Sequence, residues 1–557
     1  MNFKKMMALL LAVCMLASLL AGCGGGNNTP ADDGVQQGEE APAVEGGENA
    51  EVTPEVSEPQ YGGHLNMHSP AAILGIDPVF RATVWYYTWL GAVYEGPLTR
   101  DAENQIAPGV CDYELSEDKL TLKLWPREGI TFHDGSAVEA EDVKASIERA
   151  MNLGNSVNDF VKPVIKEMSI TDNVLTIQFT QYSEAAMSRL ASYQTWMGVM
   201  PKEICEKYAT KEFKTVDDVI GTGPYKMTEY VARTSVTLER YDGYVPVADD
   251  SRSGYAGVKH AYLDSITVWE NTDYSSATMG MLAGNYDLTD VIETEYQEMA
   301  ADAGIIRKQY NECNTLMLVY FNNDGGPNLC AKYPDLRKAI MAAIDMDEFA
   351  NTVGDNAVNV EGRPPVLDER FQTDYYLQTD WYGETNQDAV DKYLDAARAQ
   401  GYKDEPIQII ASNMNTGTTL LTGYLENAGI NYEVVMMDGT AAGEFLIDSN
   451  NNWDIKYDYQ TGAMTPGSLS LEMTTMWYGS EKRDELVAKL QSLETDSQEY
   501  MDTWHELHQL LVDDCTIVIF GFLDWFWCYR EGLYVDYEGV HPYLFNAYWN
   551  DPSQHPG

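Results

Sequence analysis

The chain is an α/β protein of at least two domains, and three features of its 557 residues predict this. Between Pro334 and Tyr459, helix-period and strand-period segments alternate, the pattern of βαβ crossovers and a mainly parallel sheet. Before Phe179, short segments alternate polar and apolar residues at period two, as half-buried strands do. The residues from Tyr61 to Gly557 are also too many for one simple core.

Taken from the start, Lys4 and Lys5 precede an apolar run from Met6 to Gly22 that ends at Leu20-Ala21-Gly22-Cys23. A basic start, a short apolar stretch and small residues at the break make a secretory signal over residues 1–22. The run has 17 residues, at the lower edge of what crosses a bilayer core of about 30 Å. A Gly-rich polar tract follows at once, without a stop-transfer cluster of charge. Leu-Ala-Gly-Cys resembles the bacterial lipobox, which implies that Cys23 takes a diacylglycerol and becomes the mature N-terminus. From Gly24 to Gln60 there are nine acidic residues, no Lys or Arg and no aromatic residue. Such a segment buries too little apolar surface to offset its chain entropy, so residues 23–60 are expected to be a disordered acidic tether.

The net charge is −51. Nucleic-acid binding needs clustered Lys and Arg against phosphates, so this composition argues against it. It argues equally against an electrostatic membrane patch, leaving the lipid anchor as the expected membrane contact. The 36 Tyr and 12 Trp supply flat amphipathic area of the kind found in binding clefts, and core packing uses many of them too. Six cysteines lie beyond Cys14 and Cys23: Cys111, Cys205, Cys313, Cys330, Cys515 and Cys528. An exported chain permits disulfides, and the pairing stays open.

Among the elements, Lys119–Trp125 and Val174–Phe179 read as half-buried strands. Val143, Ile147, Ala150 and Met151 between them form one face of a helix. Leu336, Ile340, Ala343 and Ile344 share a helical face with Gly354 as its stop. Val390, Tyr393, Leu394 and Ala397 repeat the pattern, closed by Gly401. Strand 406–411, helix 418–428, strand 432–437, helix 441–447 and strand 454–459 follow in turn. Asn413 to Thr416 and Gln460 to Met464 then occupy carboxyl ends of strands, where ligands of such sheets bind. Asp484 to Val512 is read as helix, and Thr516 to Phe526 as a buried strand, too short to span a membrane.

Enzyme motifs are missing. Gly-x-Ser-x-Gly and His-Glu-x-x-His do not occur. His505 and His508 lie three apart on a helix, but no third ligand is near, so they read as exposed surface histidines rather than a metal site. His133-Asp134-Gly135 reads as a turn before a helix rather than an acid/base pair. Gly221 to Tyr225 lacks the ending of a phosphate loop and reads as a tight turn. No catalytic residue, metal or cofactor is therefore expected, and a secreted hydrolase is the remote alternative.

Several segments together resemble one family, the extracytoplasmic solute-binding proteins of peptide and nickel ABC importers. Gly62-Gly63-His64-Leu65 with Ile76-Asp77-Pro78 resembles its opening strand and turn, and Val93 to Leu98 its next helix end. Arg127 to Gly135 followed by Ala140-Glu141-Asp142-Val143 reproduces its signature with the right spacing. Gly221 to Tyr225, and Phe321-Asn322 with Asp335 to Ile340, are two further landmarks. The resemblance runs from about Tyr61 to the end. It implies a type II periplasmic-binding-protein fold, with two lobes, a hinge and a subdomain inserted in the first lobe. The expected boundaries are 61–313 for lobe I with the insertion at about 98–215, 314–518 for lobe II, and 519–557 for the return to lobe I.

The same resemblance implies a monomer that closes on a solute and delivers it to a membrane permease. It places the protein on the extracytoplasmic face of the cell membrane of a Gram-positive-type bacterium. The ligand-binding residues it implies are Arg81, Ala82, Thr83, Trp85 and Tyr86 in lobe I. In lobe II they are Arg363, Asn413, Tyr459, Gln460, Thr461 and Gly462. Dipeptide-binding relatives hold the peptide ammonium with an Asp in a loop that here reads Gln460-Thr461-Gly462-Ala463-Met464, leaving Asp458 as the nearest acid. Their carboxylate-binding Arg is replaced by the stretch Ser412-Asn413-Met414-Asn415. Simple dipeptides are thus expected to bind weakly or not at all, and longer peptides, or uncharged solutes whose ends lie outside the pocket, more tightly. Nickel or metal-chelate carriage, or oligosaccharide carriage, remains the alternative within the same fold.

Overall fold

His64–Ser69 forms the first strand, β1, with Leu65 and Met67 buried beneath it. Helix α1 (Val84–Leu90) follows. The next elements are β2 (Cys111–Leu115), β3 (Thr121–Pro126), α2 (Ala140–Asn152), β4 (Ile165–Thr171), β5 (Val174–Phe179) and α3 (Glu184–Leu190). In α2, Val143, Ile147, Ala150 and Met151 are buried together, as their spacing predicts. The Asp142 carboxylate reaches back to the Glu139 N–H at 2.8 Å and closes the first turn. Strand β3 begins at Thr121, later than the expected Lys119. Lys119 sits instead at the hairpin tip with φ 55°, in the left-handed region.

The chain continues through β6 (Tyr225–Val231), β7 (Ser235–Arg240), β8 (Ser265–Glu270), β9 (Leu288–Thr289) and the 17-residue β10 (Ile305–Phe321). Then come α4 (Pro334–Ala342), α5 (Met346–Val353), α6 (Gln387–Gln400), β11 (Ile407–Ala411), α7 (Thr416–Asn427), β12 (Tyr432–Met436) and β13 (Ile455–Thr461). Last are α8 (Glu481–Ser492), α9 (Gln498–Asp513) and the 14-residue β14 (Ile517–Arg530).

This computed structural model describes residues 58–556. The exceptions are 81–83, 102–104, 154–160, 193–196, 249–250, 291–296, 324–325, 354–357, 360–361, 363, 367, 412–415, 438–441, 443–444, 447–449, 462–465, 467–479 and 539–540. The signal, Cys23 and most of the tether lie outside the described residues, and so does most of the expected helix 441–447. No described helix is long and apolar enough to cross a membrane.

Two expected long helices are each a pair. The 336–344 face is split after Ala342, where Asp345 accepts the Glu348 N–H at 2.8 Å and starts α5. The 484–512 helix is interrupted at 493–497, where Ser497 caps α9 through the Tyr500 N–H. In both cases a short polar side chain competes with the helical ladder, which apolar periodicity does not register.

Ten strands form one path in the order β12-β11-β13-β10-β14-β9-β1-β8-β7-β6, with Val358–Asn359 added beside β14. Strand β1 is parallel to β8 and β9, and β11 is parallel to β12 and β13. Strands β2 to β5 make a separate antiparallel sheet, ordered β2-β3-β5-β4. It closes over its own core of Leu122, Leu124, Ile147, Leu175 and Ile177. Around β10, Met317, Val319 and Phe321 pack into one core with Ile340, Leu394 and Ile409. Leu318 and Tyr320 face the other way into a core with Trp453 and Trp504. A third core joins Leu65, Ile266 and Tyr225 to Trp527 and Trp549 from the end of the chain. The described thiols Cys111, Cys205, Cys330 and Cys515 are free and buried, and Cys528 is buried too.

Candidate functional site

The signature segments act as bolts. Asp77 and Arg149, both essentially inaccessible, form a buried ion pair with Nη1 at 3.0 Å from Oδ1 and Nη2 on the other oxygen. Asp77 also accepts the Phe213 N–H at 3.2 Å. His133 Nδ1 accepts the Gly221 N–H at 3.2 Å, which makes Nε2 the protonated nitrogen that donates to the Gly223 carbonyl at 3.0 Å. Burial pushes the His133 pKa down to about 4, so the ring is neutral around pH 7. A Cβ on Gly221 would lie 2.1 Å from the Val93 carbonyl, and one on Gly223 would lie 2.4 Å from that of Ala92. The glycines therefore serve close backbone approach, as a tight turn requires. Glu95 is held by Lys259 Nζ at 2.7 Å and the Tyr244 hydroxyl at 3.1 Å. None of these side chains is free to act on a solute.

Register locates the candidate site. The 305–310 part of β10 pairs with β14 near its carboxyl end, and the 315–320 part pairs with residues 523–517 of the same strand. Both strands thus run through both halves of the sheet, with a register shift between Tyr310 and Thr315. Strand β13 is antiparallel to β10 with Thr461 opposite Thr315, so the carboxyl ends of β13, β11 and β12 point at that shift. Strand β9 is antiparallel to the far end of β14, so the carboxyl ends of β9, β1 and β8 point at it from the other side. Two sets of strand ends face each other where the sheet order switches, the position at which α/β sheets bind ligands.

Of the residues expected there, Arg81, Ala82, Thr83, Arg363, Asn413 and Gly462 lie outside the described residues. Gln460 and Thr461 are the last residues of β13. Tyr459, 37% exposed, stands at that end. Its ring meets Tyr457 edge-on at 5.3 Å, and Tyr457 in turn packs on Phe349 in the core. A Cβ at Gly417 would lie 2.2 Å from the Tyr457 ring, so glycine is needed at the start of α7 for this stack to form. Trp85 is half-buried, edge-on to Trp527 at 6.1 Å. Tyr86 departs from its expected role. It is a core residue whose hydroxyl donates to the Ala72 carbonyl at 2.8 Å and accepts the Leu74 N–H at 2.7 Å. Asp458 is already engaged by the Tyr320 hydroxyl at 2.7 Å and by Lys456.

Sequence reasoning missed a buried polar group at the opposite strand ends. His68 at the end of β1 bonds Thr289 Oγ1 and the Asn271 carbonyl, each at 2.8 Å, with the Asp290 carboxylate 3.7 Å away. Burial raises the Asp290 pKa above the usual carboxylate range. The partners are 221 residues apart in the chain, so no local motif marks them. His508 is a second correction. It is fully buried, stacked on Trp504 and Tyr375, and its Nδ1 bonds Thr373 Oγ1 at 2.6 Å. The α9 face that carries Leu507 and Leu511 into the core carries it too. Burial first, and the nearby His505, push its pKa down to about 3. Among the described residues no cluster of metal-ligating side chains occurs.

Residues 105–482 match the family described as bacterial extracellular solute-binding proteins, family 5. A probable peptide ABC transporter periplasmic-binding protein of Sinorhizobium fredii is 24% identical over 449 residues, covering 75% of this chain and 81% of that protein. Among solved structures, the oligopeptide-binding protein AppA of Bacillus subtilis, in complex with a nonapeptide, superposes with a TM-score of 0.71 at 16% identity. That match covers 89% of this chain and all of AppA. NikA of Staphylococcus aureus, in complex with Ni(L-His)2, gives 0.69 at 18% identity, covering 88% of this chain and all of NikA. These neighbours carry the two-lobe type II fold that the facing strand ends describe. The chain belongs to the bacterial extracellular solute-binding proteins of family 5.

Proposed function

We propose that this protein captures a peptide longer than two residues between two lobes and presents it to an ABC-importer permease. The observation that carries this reading is the convergence of two sets of strand ends on the β10/β14 crossing, with Tyr459 exposed at one rim. Lobe I spans 61–313 with the 98–215 insertion, lobe II spans 314–518, and 519–557 returns to lobe I. The two crossing strands act as the hinge, and the ligand stabilises closure through contacts that the open form lacks. A free dipeptide would bury two charges, and an unpaired buried ion costs several kcal/mol. Asp458 is already paired with the Lys456 ammonium and bonded by the Tyr320 hydroxyl, so it offers an ammonium group little. The site works by binding rather than catalysis, and the protein acts as a monomer.

Cys23 carries the lipid. The tether meets the fold at the amino end of β1, where Gln60 Nε2 bonds the Asn550 carbonyl at 3.1 Å and Gly62 N–H bonds the Tyr262 carbonyl at 2.8 Å. That is the end of β1 away from the convergent strand ends. A flexible tether of this length reaches about 30–35 Å, which leaves the domain free to turn its cleft toward a permease. Cys23→Ala is expected to release the protein from membranes or block its processing. Soluble wild-type protein that keeps residues before Cys23 would refute the anchor.

The ligand reading is tested by isothermal titration against pools running from dipeptides to nonapeptides, with nickel–histidine chelates and oligosaccharides as the other arms. Tight binding of the longer peptides and weak binding of dipeptides is the expected result. Submicromolar binding of an ordinary dipeptide would overturn the length preference. Binding confined to a chelate or a sugar would overturn the peptide reading.

A further inference from the structure

Far from the hinge, the inserted sheet touches the α8–α9 corner. Lys119, at the tip of the β2–β3 hairpin, places Nζ 2.8 and 2.7 Å from the two carboxylate oxygens of Glu494. Its ammonium also lies 4.8 Å from the centre of the Tyr182 ring. Next along the chain, Thr495 Oγ1 donates to Glu184 Oε2 at 3.0 Å, just after the cap of α3. The third residue of that corner, Asp496, is tied back by Arg370 at 2.5 Å, and Arg370 is itself anchored on Asp368. The corner therefore presents Glu494 and Thr495 outward from a fixed base. These partners are 375 and 311 residues apart in sequence.

The hydrophobic cores on either side are separate: Leu122, Ile147 and Leu175 belong to one, Leu486, Leu490 and Trp504 to the other. The charged pair between them lies at the surface, with the Lys119 and Glu494 side chains 37% and 63% exposed. A permanent domain junction buries apolar surface, whereas a small charged contact at the surface can part at little cost. Proximity to Glu184 and Glu494 adds to the burial that pushes the Tyr182 pKa up to about 12, in keeping with its place in the same contact.

We infer that Lys119, Glu184, Glu494 and Thr495 form a latch between the inserted subdomain and the second lobe, which biases the protein toward closure and so sets its affinity from outside the ligand site. The inference rests on the two-lobe closure proposed above. A protein whose binding-competent state is only partly populated binds more weakly by that fraction, so a latch that raises the closed population tightens binding without touching ligand. Because its charged pair is exposed, the latch weakens with salt.

The test needs no ligand. Spin labels at the exposed positions Thr228 and Asn427 report the distance between the two halves of the sheet in the free protein. The distance distribution is measured for wild type, Lys119→Glu, Glu494→Lys and the double reversal. Each single reversal is expected to shift the open-to-closed ratio by about three- to fivefold, and the double reversal to restore it. Raising salt from ~20 to ~500 mM is expected to open wild type but not the single variants. Thr495→Val gives an independent arm with a smaller shift in the same direction. Unchanged melting temperatures keep a folding defect from imitating the result. Identical distance distributions in all four proteins at low salt would overturn the latch. If the distances shift as expected while no peptide pool binds, the latch stands and the peptide reading alone falls.

Discussion

The first half of the sheet and the rim of the second half use polar residues in opposite ways. Around Asp77–Arg149, His133–Gly221 and Glu95–Lys259, every partner sits across a buried contact between distant segments, and each side chain is spent on holding them. At the end of β13, Tyr459 leans on Tyr457 and leaves over a third of itself in solvent, with no sequence motif to mark it. The most recognisable residues of the chain are thus structural, and Tyr459, which we propose meets the solute, is unremarkable in sequence. Recognition of a family by its signatures therefore speaks to fold and role, while the solute is decided elsewhere.

The largest expected effect comes from breaking one of the bolts. Arg149→Met leaves the Asp77 carboxylate buried without its partner and is expected to cost about 3–5 kcal/mol in denaturant unfolding. A loss below about 1 kcal/mol would show that the pair is a bystander. The second effect is acid sensitivity. His133 is neutral in the folded chain with a pKa near 4, whereas an unfolded histidine titrates near 6.5. Between those values the unfolded chain takes up a proton that the folded one does not. The stability present above pH 6.5 is therefore lost as pH falls toward 4, by about 3 kcal/mol from this one ring. His508 adds a loss of the same sign. His133→Asn should flatten that part of the stability–pH profile, and an unchanged slope would contradict the assignment.

The third effect separates core from rim. Tyr459→Ala is expected to weaken binding of a nonapeptide pool about tenfold with little change in melting temperature. Tyr86→Phe is expected to do the reverse. It removes the hydroxyl that bonds Ala72 and Leu74, costs about 1–2 kcal/mol of stability, and leaves affinity alone. If Tyr86→Phe lowered affinity and Tyr459→Ala did not, the two residues would have been assigned to the wrong places.

Much of the architecture was legible because periodicity and glycine stops act locally. Gly401 closes α6 at φ 111°, and strands 174–179 and 432–436 stand within a residue of where alternation puts them. The breaks at Asp345 and Ser497 were not legible, because apolar period continues through them while a capping side chain decides otherwise. His508 was misplaced because a histidine on an apolar helical face can be stacked in the core, and spacing alone does not say which face is covered. The His68–Thr289–Asp290 group and the Lys119–Glu494 contact arise only once distant segments are brought together. The site was legible as a place, the carboxyl ends of parallel strands, and only in part as a set of side chains.

Solution scattering with and without ligand reads out directly whether a solute is captured by closure of two lobes about β10 and β14. Full-length protein lacking only the signal would be measured alone and with a saturating nonapeptide pool. Lobe closure predicts a smaller radius of gyration and a loss of long interatomic distances on binding. Binding confirmed by titration with superimposable scattering curves would contradict it.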